Sequence, residues 1–211
     1  MASSDQKTDL RRYLQQARDA VLWKLDGVSE YDARRPLVPT GTNLLGLVKH
    51  LALVEFGYFG DTFGRPYTGP TAWDEDEPNS DLYARPEETR DLITGLYRQA
   101  WVHADATIDD LGLDALGRVP WWPAGRAEVT LHRVLVHVIA ETAQHAGHAD
   151  IVRELIDGAA GLAADRPNLP SADPEWWRAH YDRVERAARE AAGLAADNGS
   201  GLDSEEYGND S

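Results

Sequence analysis

The sequence predicts an all-α protein, a bundle of five helices with a long crossing connection between the second and the third. Three observations carry this reading. Apolar residues recur at helical spacing through five stretches, capping and stop residues bracket those stretches, and no run alternates apolar and polar residues for long enough to signal a strand.

The first helix starts near Asp5 or Thr8 and reaches about Leu25, with Leu10, Leu14, Ala17, Val21 and Leu25 on one stripe and Gly27 placed as a stop. Beyond Pro36 and Pro39, Thr42 is placed to cap a second helix that runs through NLLGLVKHLALVEFGYF to about Phe59. Gly60 to Ala84 is rich in Gly, Pro, Asp and Thr and has no period, which predicts a long crossing connection instead of a tight hairpin. Pro86 at a first-turn position, with Glu87 and Glu88 beside the positive helix end, predicts the start of a third helix that carries Leu92, Leu96 and Ala100 and fades near Thr107. An irregular stretch with Trp121, Trp122 and Pro123 leads to Thr130, the cap of a long fourth helix that stops at Gly158. Asp173 and Pro174 open a fifth helix, from Glu175 to about Ala196, on which Trp176, Trp177 and Tyr181 supply apolar surface. Residues 1–196 are read as a single metal-binding bundle domain and 197–211, which has no core-forming residues in period, as an acidic disordered tail.

Composition narrows the function classes. The chain has 211 residues and a net charge of -15, so it lacks the basic surface that nucleic acid or an anionic membrane requires. No apolar run is long enough to span a bilayer, the N-terminal residues lack the apolar core of a secretory signal, and there is no Cys, which together predict a cytoplasmic protein without disulfides. Lys occurs only at Lys7, Lys24 and Lys49 against many Arg and Ala, the bias of a high-GC genome such as that of an actinobacterium.

The fourth helix holds an anomaly. His137, Glu141, His145 and His148 succeed one another by steps of four, four and three, and at ~100° per residue all fall on the stripe that also holds Val134, Val138, Val152 and Leu155. A carboxylate and imidazoles in a core stripe are costly unless something pairs with them, and a divalent metal is such a partner. Glu141 and His145, one turn apart, converge on one point. His50, the one His of the second helix, lies among Leu47, Leu51 and Val54 and completes a set of two His and one carboxylate, as in catalytic zinc sites that keep a coordination position open. Nickel and ferrous iron suit the same donors. His148 is the neighbour expected to support the site or act as a general acid, and His137 could do the same from one turn earlier. His103, His132 and His180 are read as packing or surface residues, and Trp121, Trp122, Trp176 and Trp177 first as seals at the bundle ends or an oligomer interface, with an aromatic substrate pocket as the alternative. Arg126, Arg133 and Arg153 are read first as ordinary helix-surface ion-pair partners, with a grip on an anionic group as the alternative.

Two segments, PLVPTGTNLLGLVKHLALVE around His50 and LVHVIAETAQHAGHADIVREL around His145, resemble the DinB-like superfamily of metal-binding helical bundles, and within it the actinobacterial mini-circle-type proteins. The resemblance covers roughly Leu10 to Gly158. The superfamily joins a His of the second helix to a His-x3-His pair late in the bundle; here the first member of that pair is Glu141, as in the similar mycothiol-dependent maleylpyruvate isomerases. The resemblance therefore implies His50, Glu141 and His145 as ligands of a metal, zinc foremost. It also implies a four-helix bundle with a long crossover between the second and third helices and an extra C-terminal helix, and a transferase or isomerase with mycothiol as thiol co-substrate, activated as a thiolate that attacks an electrophilic small molecule. A homodimer, for which the fifth helix offers a surface, is implied as well. A small-molecule hydrolase working through metal-bound water and a non-catalytic metal-containing binding or stress-response protein are the competing readings.

Overall fold

The computed structural model describes residues 6–71 and 77–194; the expected acidic tail at 197–211 lies outside them. The chain divides into two units, residues 1–168 and 169–211. The first contains, in order, α1 (Gln6–Leu22), α2 (Glu30–Arg34), α3 (Leu44–Glu55), α4 (Arg90–Asp110), β1 (Leu116–Arg118), α5 (Ala124–Ala127), β2 (Glu128–Thr130) and α6 (Leu131–Asp157). The second contains α7 (Pro174–Ala191). The four long helices α1, α3, α4 and α6 make the bundle, as the periodicity predicts.

Their ends obey local chemistry. The Thr130 side chain accepts from Arg133 N, and Gly158 closes α6 in the left-handed conformation, so both expected boundaries of the fourth helix hold. The second helix is capped one residue later than expected: Asn43, not Thr42, accepts from Gly46 N at 2.8 Å, and the Thr42 hydroxyl is 3.3 Å from that of Thr40. The third begins behind Thr89, whose side chain accepts from Leu92 N, because Pro86 and Glu88 belong to the preceding turn. Glu88 does not sit at a helix end; its carboxylate is drawn inward by Lys49, 2.9 Å away. The short elements α2, β1, α5 and β2 had no legible signal. The five residues of α2 bury only Ala33, and the antiparallel pair β1–β2, Leu116 to Arg118 against Thr130 to Glu128, is too short for alternation to register.

Leu45, Leu51, Ile93, Tyr97 and Val152 anchor one part of the core and Leu14, Phe59, Ile108, Leu131 and Val138 another, each burying a side chain at about 1.5–3 kcal/mol of stabilisation. Immediately after α3 the backbone makes a π-turn, Phe56–Gly60, before a 3-10 turn, Asp61–Phe63. A π-turn holds one more residue than the α-helical turn it replaces. The connection from there to Thr89 crosses the bundle without regular structure among its described residues. Part of it is bound tightly to α3: Asn43 Nδ2 donates to Leu82 O at 3.1 Å, and Lys49 Nζ donates to Ser80 O at 2.6 Å and Tyr83 O at 3.1 Å. Gly46 permits this, since a Cβ there would lie 1.9 Å from Leu82 O. Lys49 is fully buried, and the Glu88 carboxylate supplies its counter-charge.

In the second unit Asp173 accepts from Glu175 N at 2.9 Å, as expected of a cap ahead of Pro174. Helix α7 ends at Ala191, short of the expected Ala196. Trp176 stacks on His180 at 5.2 Å. No helix of the described residues is long and apolar enough to cross a membrane.

Candidate metal centre

Helices α3 and α6 bring His50, Glu141 and His145 together, with one donor atom of each lying within 4.8 Å of the others. Glu141 Oε1 is the focus: His50 Nε2 lies 3.6 Å from it and His145 Nε2 3.1 Å. The stripe is not core along its whole length. Val134, Val138 and Val152 are buried, whereas His148 and Leu155 are exposed, the latter at 57%. The three donors are half-buried at the point where the face turns from core to cavity.

Asp81 was invisible to sequence reasoning, and it gives the site its polarity. Its carboxylate lies 2.6 Å from His50 Nδ1. The Nδ1–H donates to that oxygen, which leaves Nε2 as a bare lone pair aimed at another acceptor, the Glu141 carboxylate. Acceptor facing acceptor is unfavourable unless a cation or a proton stands between them. A carboxylate behind a ring nitrogen is also the usual support of a metal-bound His. Asp81 is one residue from the Ser80 carbonyl that Lys49 holds, and Lys49 precedes His50 in α3. The same helical turn thus presents the imidazole and fastens its partner.

His145 repeats the arrangement more loosely. Burial first, and then repulsion from the neighbouring His50 ring, push its imidazole below the usual value and favour the neutral ring that coordination requires. Its Nε2 faces the Glu141 carboxylate, and its Nδ1 lies 3.3 Å from His148 Nδ1, one ring donating to the other. His148 is thus within hydrogen-bond reach of the His145 ring.

Beside these residues lies a cavity of about 750 Å³, whose lining includes His50, Asp81 and Glu141 together with Phe56, Tyr58, Tyr67, Trp121 and His137. His137 does not reach the three donors. Its Nε2 is 2.9 Å from the Tyr58 hydroxyl, which also accepts from Trp122 Nε1 at 3.1 Å. Trp121 is a cavity wall, contrary to its first reading as a seal at a bundle end and in line with the alternative; the loop closed by β1 and β2 carries it there. His103 packs edge-on against Phe56 and Tyr67, as a packing residue should, and His132 is exposed. None of the three Arg residues considered from sequence lines the cavity. Arg126 is exposed, Arg133 lies over the Trp122 ring, and Arg153 is buried with bonds to Lys24 O, Asp26 O and the Asp157 carboxylate.

The donor set, two imidazoles and a carboxylate of which His50 and Glu141 line the cavity, could hold a zinc-like cation with a position left for a ligand. Among known structures, a crystal structure described as the conserved protein of a locus from Enterococcus faecalis superposes with a TM-score of 0.54 at 16% identity. It covers 74% of this chain and 99% of that one, a likeness of fold. No curated protein matches the sequence. The family model of Mycothiol-S-transferase matches residues 9–158, which takes in all four long helices, the crossover and the three donors, and the chain belongs to that family.

Proposed function

We propose that the protein is a metal-dependent transferase that uses a low-molecular-weight thiol, mycothiol, against a small electrophile in the cytoplasm, with His50, Glu141 and His145 as the ligands of a divalent metal. The convergence of two Nε2 atoms on one Glu141 oxygen, at 3.6 and 3.1 Å on a cavity wall, carries this reading. Zinc is the first choice, and nickel or ferrous iron fits the same donors. When bound, the metal supplies the positive charge that lowers a thiol's pKa and leaves a thiolate at neutral pH.

The chain's own residues do the rest. Asp81 holds the His50 ring in the tautomer that offers Nε2, and His148 lies within hydrogen-bond reach of the His145 ring. Phe56, Tyr58, Tyr67 and Trp121 keep water from the space beside the three donors. The absence of Cys from the sequence agrees with a sulfur that arrives with the co-substrate.

The test is elemental analysis of untagged protein, and then titration of the cobalt-substituted form with mycothiol. A saturable thiolate-to-cobalt band, lost in His50→Ala and His145→Ala, is the expected result. Protein without metal, or bound metal indifferent to thiol, overturns the reading, and the second outcome turns attention to hydrolysis.

A further inference from the structure

The cavity has a chemical bias that the family name does not contain. Part of its lining is aromatic. Phe56 and Tyr67 stack at 3.9 Å between centroids. Tyr58 meets the Trp121 ring edge-on at 5.1 Å, and Trp121 lies so close to the π-turn that a Cβ on Gly57 would come within 2.7 Å of its ring. A fixed polar handle among these rings is the Tyr58 hydroxyl, held between Trp122 Nε1 and His137 Nε2.

The charged residues of the lining are all acids: Asp61, Asp81 and Glu141, with no Lys or Arg among the described lining residues. The next residues in sequence after Thr71, AWDED at 72–76, contain neither. A divalent cation at the three donors cancels only the charges of Glu141 and Asp81. A bound thiolate then adds a negative charge to that of Asp61, so the loaded cavity is net negative. An anionic electrophile would enter against like charge in a partly desolvated space, with no Lys or Arg among the described lining residues to meet it. A neutral ring would bury apolar surface against four aromatic side chains at no electrostatic cost, and a cationic one would gain from both rings and acids.

We propose that the electrophile taken by this cavity is an uncharged or cationic molecule bearing an aromatic or similarly flat apolar group, oriented by the Tyr58 hydroxyl, and that carboxylate-bearing electrophiles are excluded. The proposal rests on the transferase reading for the word electrophile, but its test needs no thiol. Equilibrium dialysis of the protein as purified compares 4-nitrobenzyl alcohol with 4-nitrobenzenesulfonate, an anion that coordinates metals poorly and so reports charge. Retention of the alcohol at least tenfold stronger than of the sulfonate is expected. Trp121→Ala should weaken retention of the alcohol severalfold, and Val54→Lys, which adds a cation to the wall, should close the gap between the two probes. Leu53→Lys serves the same purpose if the Val54 variant does not fold. Equal retention, a preference for the sulfonate, binding of neither probe, or indifference to Trp121→Ala overturns the proposal. The cobalt titration is unaffected by any of these results, so the failure of the charge bias and the failure of the thiol chemistry are separately visible.

Discussion

Two of the polar clusters that interrupt the interior of the bundle rest on α3 and are built on opposite plans. At Glu55 the cluster is closed. Arg18 from α1 donates Nε and Nη2 to the two Glu55 oxygens at 2.9 and 2.6 Å, and Nη1 to Asp105 of α4 at 2.9 Å and to Gln15 at 3.2 Å. Arg18 and Glu55 are at most 1% exposed. At His50 the cluster is open: His50 Nε2 and His145 Nε2 converge on one Glu141 oxygen beside the cavity, and Asp81 takes the His50 Nδ1 hydrogen. A buried polar group needs a partner in either case. Where the chain supplies both charges the result is a joint between helices, and where it supplies only one sign the result is a place for a guest.

The contrast can be broken most forcefully at the closed cluster. Glu55→Ala strands the Arg18 guanidinium in the interior, and we expect a loss of about 3–5 kcal/mol in urea unfolding of the metal-free protein. His145→Ala measured the same way should cost far less, because nothing charged is left buried; equal losses would mean that the two clusters do the same job. Next comes Asp81→Asn, which removes the carboxylate behind His50 while keeping its size. Metal affinity measured by chelator competition should fall about 10- to 100-fold, with the unfolding midpoint of the metal-free form little changed. An unchanged affinity would sink the role given to Asp81.

The smallest effect is in pH dependence. The His145 value is lowered in the folded state, so between that value and the ordinary imidazole value the unfolded chain holds more protons than the folded one. Stability of the metal-free protein attributable to this group is full above the ordinary value of 6.5 and declines as the pH falls toward the folded value. His145→Gln should flatten that slope; a slope that persists unchanged would assign it to another residue.

How much of this was legible in the sequence depended on range. The four long helices were, because each carries its own period and its own stop signals, as were the Thr130, Gly158 and Asp173 boundaries. The meeting of His50 with Glu141 and His145 was also legible, since each sits on the inward stripe of a helix and the spacing of four on α6 is a local fact. Asp81 was not: it lies on a crossover without period, and what places it is a lysine 32 positions earlier whose bonds go to main-chain oxygens. The Arg18–Glu55 joint links residues 37 apart through side chains that look like ordinary helix-surface charges. Trp121 reached the cavity on a hairpin with three-residue strands, below the length at which alternation carries information.

The π-turn at Phe56–Gly60 has a consequence for how the cavity can vary. Deleting one residue from it would restore α geometry and rotate the downstream residues by ~100° about the helix axis, carrying Tyr58 off the cavity wall. His50 lies upstream and would stay where it is, as would Glu141 and His145 on α6. A single in-frame codon lost or gained at this place would therefore reshape the part of the cavity wall that Tyr58 supplies while the three donors keep their register, so the two ends of the cavity are separately mutable.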